Sequence, residues 1–384
     1  MPSQRHDCAA ICTPGLEPFV EAELRALKLK PRSSGSGVVP FSATNRQLYA
    51  ANLWLRTASR VLIRIARFKA TDFAHLQSHA AGIDWDRWIP EGHAPEFRVS
   101  ATKSKLYHTD AITQRLHQVV GPPSIGEPTQ PFVVRIDRDI VSISVDSGGA
   151  PLNHRGWRAE LGVAPLRPTM AAAVVQASGW PAMVAAALDS SVGAAFVDPF
   201  AGSGTIPVEA ALMALDQPPG GVRRFAFQLW DDFEPGTWAS VTGEAAGRAR
   251  SVDDLRAAGV RIEASDRDAG AVAAITGNAE RAGVADLVDV AERVVSDLTP
   301  APAPGVIATN PPYGKRVGDG DLRPLYQRFG FVAREQRPGS ELVIVAADRE
   351  LARSIDRRLK PLGGFGHGGT SVSVLGCTLT PETD

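Results

Sequence analysis

From Ala194 onward, short apolar runs alternate with stretches of helical periodicity. The runs are Ala194–Val197, Arg261–Ser265, Val288–Val295, Val306–Thr309 and Leu342–Ala346. Between them, Ile206–Leu215, Ala269–Ala282, Leu322–Arg334 and Leu351–Leu359 repeat apolar residues at helical spacing, and Ser371–Thr378 closes the series as a strand. Strands this short and apolar are buried on both faces. Regular alternation with helices therefore predicts an α/β fold: a parallel sheet covered by helices, with ligands at the carboxyl ends of its strands. One long interruption, Gln217–Val260, is expected to be an insertion in this part. It is Pro/Gly-rich at first, then aromatic (Phe225, Phe227, Trp230, Phe233, Trp238), then helical.

The sequence before Ala194 is built differently. In residues 1–66, a short apolar segment (Cys8–Cys12) precedes a helix with Leu16, Phe19, Val20, Leu24 and Leu27 on one face. Val38–Phe41 reads as a strand, Leu48–Trp54 as a helix and Val61–Ile65 as a strand. Residues 67–152 continue with a helix at Phe73–Ala81, a strand at Phe97–Ala101 and a helix carrying Ile112, Leu116 and Val119. Val133–Ile136 and Val141–Val145 flank Asp137-Arg138-Asp139 as a hairpin. Both stretches are expected to be small α+β pieces, and residues 153–384 the α/β domain.

Charge separates the two halves. There are 21 basic and 15 acidic side chains up to Pro168, and 20 basic and 27 acidic after it. A basic front half suits a polyanion. Lys103, Lys105, Tyr107 and His108 cluster ahead of a helix start, the mixture that phosphate contact and base stacking use. A solvated charged loop has the same composition. Trp157, between Arg155 and Arg158, is open to two readings: RNA contact, or packing at the domain joint.

Three cysteines (Cys8, Cys12, Cys377) cannot build a disulfide framework, and no zinc spacing accompanies them. A reducing cytoplasm is expected, since Met1–Asp7 is polar and no apolar leader follows. Pro168–Leu188 carries no charge and approaches membrane-spanning length. Its alanines, interrupted at Gly179-Trp180-Pro181, predict two soluble helices instead.

Two motifs sit where the fold places ligands. Val197-Asp198-Pro199-Phe200-Ala201-Gly202-Ser203-Gly204-Thr205 joins the first strand to its helix. The glycines permit a sharp turn and close backbone approach. Pro207 stands where a dinucleotide fingerprint needs its third glycine, and no Gly-Lys-Ser/Thr follows for phosphate. A ligand bearing an ammonium and a carboxylate fits better, and S-adenosylmethionine is such a ligand. Asp266, after the second strand, can accept two ribose hydroxyls or cap a helix. Asp297, after the third, can accept from the adenine amine or lie in a solvated turn. The second motif is Asn310-Pro311-Pro312-Tyr313-Gly314, after the fourth strand. Two prolines forbid helix and remove two backbone donors, leaving a rigid turn with an amide and an aromatic ring.

Together, Asp198–Thr205, Ser265–Asp268, Thr309–Gly314, Leu106–Ile112 and Gly162–Ala173 resemble the THUMP-containing RNA guanine-N2 methyltransferases. The resemblance covers nearly the whole chain and is closest to the 23S rRNA enzymes, with tRNA relatives. It implies a ferredoxin-like part at 1–66, an RNA-binding THUMP domain at 67–152 and a Rossmann-like class I methyltransferase domain at 153–384. It also implies that Asp198, Gly202, Gly204, Thr205, Asp266 and Asp297 line S-adenosylmethionine, and that Asn310, Pro311 and Tyr313 hold the target guanine. Expected partners are rRNA or tRNA, with no metal and no membrane. Asn-Pro-Pro-Tyr also occurs in adenine-N6 DNA methyltransferases and in enzymes that methylate glutamine side chains. The first 165 residues argue against both rivals.

Overall fold

The computed structural model describes residues 5–32, 35–159, 166–190, 192–300, 305–313, 321–367 and 369–380. Gly314 and residues 162–165, which belong to the motifs above, lie outside them. The chain divides into two compact units. Met1–Cys12, Val20–Leu152 and Arg223–Gly243 form the first; Thr13–Phe19, Asn153–Val222 and Glu244–Asp384 form the second.

In chain order the first part runs β1 (His6–Cys12), α1 (Glu17–Ala26), β2 (Val38–Ala43), α2 (Asn45–Trp54), β3 (Ala58–Lys69), α3 (Phe73–Ala81), β4 (Ala94–Thr102), α4 (Thr109–Val120), β5 (Thr129–Asp137) and β6 (Ile140–Asp146). Sequence alternation sets the strand faces: in β1, Cys8, Ala10 and Cys12 point inward. A capping box starts α2, with Thr44 and Gln47 each accepting the other's backbone N–H. The strands form one six-stranded sheet, ordered β2-β1-β3-β6-β5-β4. Strand β3 pairs antiparallel with both β1 and β6, and it runs through residues 66 and 67. The stretches 1–66 and 67–152 thus share a sheet.

The aromatic stretch expected as an insertion in the α/β part belongs to this first unit. Phe227 stacks on Tyr49 at 4.4 Å between ring centroids, Phe225 stacks on Phe227, and Trp238 meets all three edge-on. Trp230 packs edge-on against Trp88 and donates its indole N–H to Gln130. Arg223 donates to the carbonyls of Pro151 and Ala150. The physical reason is burial. Phe225, Phe227 and Trp230 are apolar bulk without strand or helix period, and they complete a core that the first sheet begins.

The second part comprises α5 (Pro168–Ala177), α6 (Trp180–Ser190), β7 (Ala194–Asp198), α7 (Thr205–Ala214), then, after α8 (Pro235–Arg248), which belongs to the first unit up to Gly243, α9 (Val252–Ala257), β8 (Val260–Asp266), α10 (Ala269–Arg281), β9 (Val288–Glu292), β10 (Gly305–Thr309), α11 (Arg323–Gln336), β11 (Glu341–Ala346), α12 (Arg349–Ala352), β12 (Lys360–His367) and β13 (Thr370–Thr378). Seven strands form a sheet ordered β12-β13-β11-β10-β7-β8-β9. Strands β7 to β11 are parallel, while β13 and β12 join antiparallel. Every residue of β7 and β10 is buried, as helices on both faces require. Strand β12 was not expected, because Lys-Pro-Leu-Gly-Gly has little strand propensity. Pairing with β13 recruits it. The helix expected at Leu351–Leu359 shortens to α12. Among the described residues no single helix is long and apolar enough to cross a membrane. Helices α5 and α6 meet at a 56° bend, and α5 is buried from Pro168 to Val175.

Candidate active site

The strand order reverses between β7 and β10. From β7 the chain moves outward through β8 and β9, and from β10 it moves the other way to β11. Adjacent strands that wind apart leave a crevice at their carboxyl ends. The glycine loop leaves β7 at that edge, and the Asn-Pro-Pro-Tyr turn leaves β10.

Backbone hydrogen bonds shape the glycine loop. Ala201 N–H donates to the Ser265 carbonyl at 3.0 Å, and Gly204 N–H to Ala201 at 2.8 Å. Gly202 and Gly204 both have positive φ, +56° and +78°. A Cβ on Gly204 would press on Ile275 of α10 at 3.0 Å, while one on Gly202 would meet nothing within 4 Å. So Gly204 lets the loop pack down onto α10, and Gly202 leaves bare backbone facing open space. Gly204 is the N-cap of α7, and no side chain among the described residues caps the helix; Thr205 and Ile206 carry its first N–H groups, since Pro207 has none. Thr205 is buried at this helix start, and its hydroxyl lies 3.5 Å from that of Ser203.

Asp266 is half-buried at the end of β8. One carboxylate oxygen accepts from Gly202 N–H at 3.0 Å and the other from Asp268 N–H at 3.1 Å. Each oxygen keeps a lone pair for another donor. The helix cap is a different residue: Asp268 caps α10 by accepting from Ala271 N–H. Asp297 ends a short turn, Val295–Asp297, and is exposed.

Asp198 is buried at the end of β7. Its carboxyl is buried and accepts from the Thr309 hydroxyl at 2.5 Å and from Phe200 N–H at 3.2 Å. Burial pushes its pKa up to about 7. The two hydrogen bonds pull the other way, and nearby Asp266 adds to the rise. This carboxyl ties the end of β7 to the end of β10, next to Asn310.

Beyond Thr309, Asn310 is half-buried, Pro311 buried, and Pro312 and Tyr313 half-buried. The Asn310 side-chain oxygen is shut off from solvent and meets no hydrogen-bond donor among the described residues. A buried acceptor without a donor is costly unless a ligand completes it. Tyr326, buried one turn into α11, donates its hydroxyl to the Pro312 carbonyl at 3.0 Å.

Sequence reasoning missed the side chains that position these motifs. Thr309 is a hydroxyl in an otherwise apolar strand, a visible if weak signal. Asn278 is polar on the buried face of α10 and donates to the Ser203 carbonyl at 2.8 Å. Arg281 links Asn278 to the Trp157 carbonyl. Arg155 is buried against Glu209 of α7 at 3.1 Å. Trp157 is thus buried, with its carbonyl and the Arg155 guanidinium both bonded inside the second unit, which speaks against the RNA-contact reading.

A seven-stranded sheet with one antiparallel hairpin at its edge, a glycine loop after the first strand and an acidic residue after the second define a class I methyltransferase fold. The family described as RMKL-like methyltransferase domain matches residues 155–361, and the RlmL ferredoxin-like domain matches residues 7–62. The chain belongs to the RMKL-like methyltransferase family. A Methylococcus capsulatus protein named ribosomal RNA large subunit methyltransferase K/L is 32% identical over 399 residues, covering 100% of this chain and 52% of that protein. The chain spans about half the length of the curated relatives it matches. A crystal structure of SMU.472 complexed with SAH superposes with a TM-score of 0.86 at 26% identity and covers 100% of both chains. A predicted N6-adenine-specific DNA methylase from Listeria monocytogenes gives a TM-score of 0.80 at 28% identity, covering 98% of this chain and 97% of that one.

Proposed function

We propose that the chain transfers a methyl group from S-adenosylmethionine to the exocyclic N2 amine of a guanosine in large-subunit rRNA. The observation that carries this is the buried Asn310 oxygen with no described donor, at the strand end beside the glycine loop. An exocyclic amine supplies the missing donor. The name of the curated relatives supports ribosomal RNA, and SMU.472 with its bound SAH supports the cofactor.

The residues present fit that cofactor. Gly202 offers open backbone, α7 offers uncapped N–H groups for a carboxylate, and Asp266 has spare lone pairs for ribose hydroxyls. Gly204 and Thr205 shape the loop, and Asp297, exposed after β9, is assigned the adenine amine in this reading. Asp198 acts through Thr309 and does not touch the ligand in this reading. When bound, S-adenosylmethionine supplies an electrophilic methyl on a sulfonium.

The rest is the work of Asn310, Pro311 and Tyr313. The guanine amine is a poor nucleophile because its lone pair is delocalised. Accepting both its protons, at the Asn310 oxygen and the Pro311 carbonyl, orients the lone pair and favours the pyramidal, positively charged transition state. Tyr313 stacks on the base once it has swung out of its helix. No strong base is needed: the sulfur leaves with its bonding pair as the methyl moves to nitrogen, and the proton of the resulting cationic nitrogen is acidic enough to pass to water.

RNA contact in the first unit is assigned, in this reading, to a THUMP-like surface. Tyr107 is 64% exposed, and His108 lies 4.0 Å from it between ring centroids. Lys103 and Lys105 are exposed beside them, on a loop pinned by Ser104 and Asp139. Such a loop suits stacking and phosphate contact. The shared Asn-Pro-Pro-Tyr turn and the Listeria structure favour DNA adenine as the second reading.

Asn310→Ala decides the matter. Methyl transfer to 23S rRNA should fall at least about a hundredfold, with S-adenosylhomocysteine affinity changed less than about threefold. Mass spectrometry of nucleosides from the wild-type reaction should show N2-methylguanosine. An N6-methyladenine product would select the second reading.

A further inference from the structure

We infer that Tyr326 is a positioning residue for methyl transfer: its hydroxyl, donated to the Pro312 carbonyl, sets the peptide from which the base-stacking Tyr313 projects. This rests on reading the Asn310–Tyr313 turn as the site that holds the base.

The turn lacks two of its own means of support. Pro311 and Pro312 carry no N–H, so the backbone cannot brace itself with donors at these positions. Its carbonyls need donors from elsewhere. Tyr326 brings one, at 3.0 Å from the Pro312 oxygen. The Tyr326 ring lies in the core with Val197 of β7, Ile307 of β10 and Phe329 of α11. It is 2% exposed. Phenylalanine would fill that space equally well, and a buried hydroxyl is tolerated only with a partner. The hydroxyl is therefore explained by the turn rather than by the core. Burial, with Tyr313 and Asp348 nearby, pushes its pKa up, so it remains a neutral donor across the working range.

The geometry assigns a division of labour. Thr309, bonded to Asp198, fixes where the turn leaves β10. Tyr326 fixes where it ends. The peptide between Pro312 and Tyr313 can then aim the Tyr313 ring, and with it the amine that the Asn310 oxygen receives. Loss of the hydroxyl should blur base placement and leave the cofactor loop untouched.

The test is Tyr326→Phe, measured beside Asn310→Ala with 23S rRNA from cells lacking the gene. The expected result is a fall in kcat of about tenfold or more, since misplacement of reacting groups is costly. KM for S-adenosylmethionine and calorimetric affinity for S-adenosylhomocysteine should stay within about twofold, and thermal unfolding should shift little. A Tyr326→Phe kcat within about twofold of wild type, with Asn310→Ala inactive, overturns the Tyr326 assignment alone. A parallel loss of cofactor affinity and thermal stability overturns it too, because the hydroxyl would then serve the scaffold. If Asn310→Ala keeps wild-type activity, the reading of the turn itself fails.

Discussion

The two strand ends that face each other at the switch point are held in opposite ways. The loop after β7 is held through its own backbone groups: Ala201 and Gly204 N–H donate to the Ser265 and Ala201 carbonyls, Gly202 N–H donates to the Asp266 carboxylate, and the Ser203 carbonyl accepts from Asn278. The turn after β10 has lost two backbone donors to proline, and side chains hold it: Thr309 through Asp198, and Tyr326 through Pro312. A backbone-held loop is sensitive where glycine geometry or its carboxylate acceptor is changed. A side-chain-held turn is sensitive to the loss of single hydroxyls.

The largest expected effect lies where the two ends meet. Asp198 has a folded pKa raised from 3.8 to about 7 by burial. Between pH 4 and 7 the folded state thus binds more protons than the unfolded chain, so this group's stability contribution is full below about pH 4 and is lost as pH rises to 7. At 1.36 kcal/mol per unit, the stability of wild type relative to Asp198→Asn should fall by about 4 kcal/mol across that window. Urea unfolding at several pH values reads this, and a flat difference would mean that the β7–β10 tie carries no burial strain.

Next, Asp266→Ala should weaken S-adenosylhomocysteine about a hundredfold by calorimetry, from two charge-assisted hydrogen bonds lost. An unchanged affinity would remove Asp266 from the cofactor site. Gly204→Ala should cost about 2 kcal/mol in unfolding free energy, from positive φ and the Ile275 contact. Gly202→Ala, with open space at its Cβ, should cost less. That ordering is itself the test of how the loop is packed. Thr309→Val should cost about 1–2 kcal/mol, and Thr309→Ser should restore it. Equal stability of Val and Ser variants would break the contrast between the two strand ends.

Much of the site was legible because its parts lie at strand ends, where period and turn chemistry are local. The glycine loop, Asp266 and the Asn310 turn each follow an apolar run, and each lies at the carboxyl end of its strand. The roles of Asp198 and Asp268 were not legible. Two aspartates, Asp266 and Asp268, stand two residues apart beside α10, and only the backbone decides that the second caps the helix. Likewise no local pattern tells that the Asp198 carboxyl meets the Thr309 hydroxyl 111 residues later.

The α/β alternation, the two motifs and the basic front half are properties of neighbouring residues, and the sequence by itself determined them. The tertiary structure alone decided that Phe225, Phe227 and Trp230 complete the first unit's core, and that Tyr326 braces a proline turn. It also decided that Lys360–His367 is a strand. The reason is physical: burial and hydrogen-bond satisfaction are settled between residues distant in sequence, and no local pattern encodes which distant partner will meet the need.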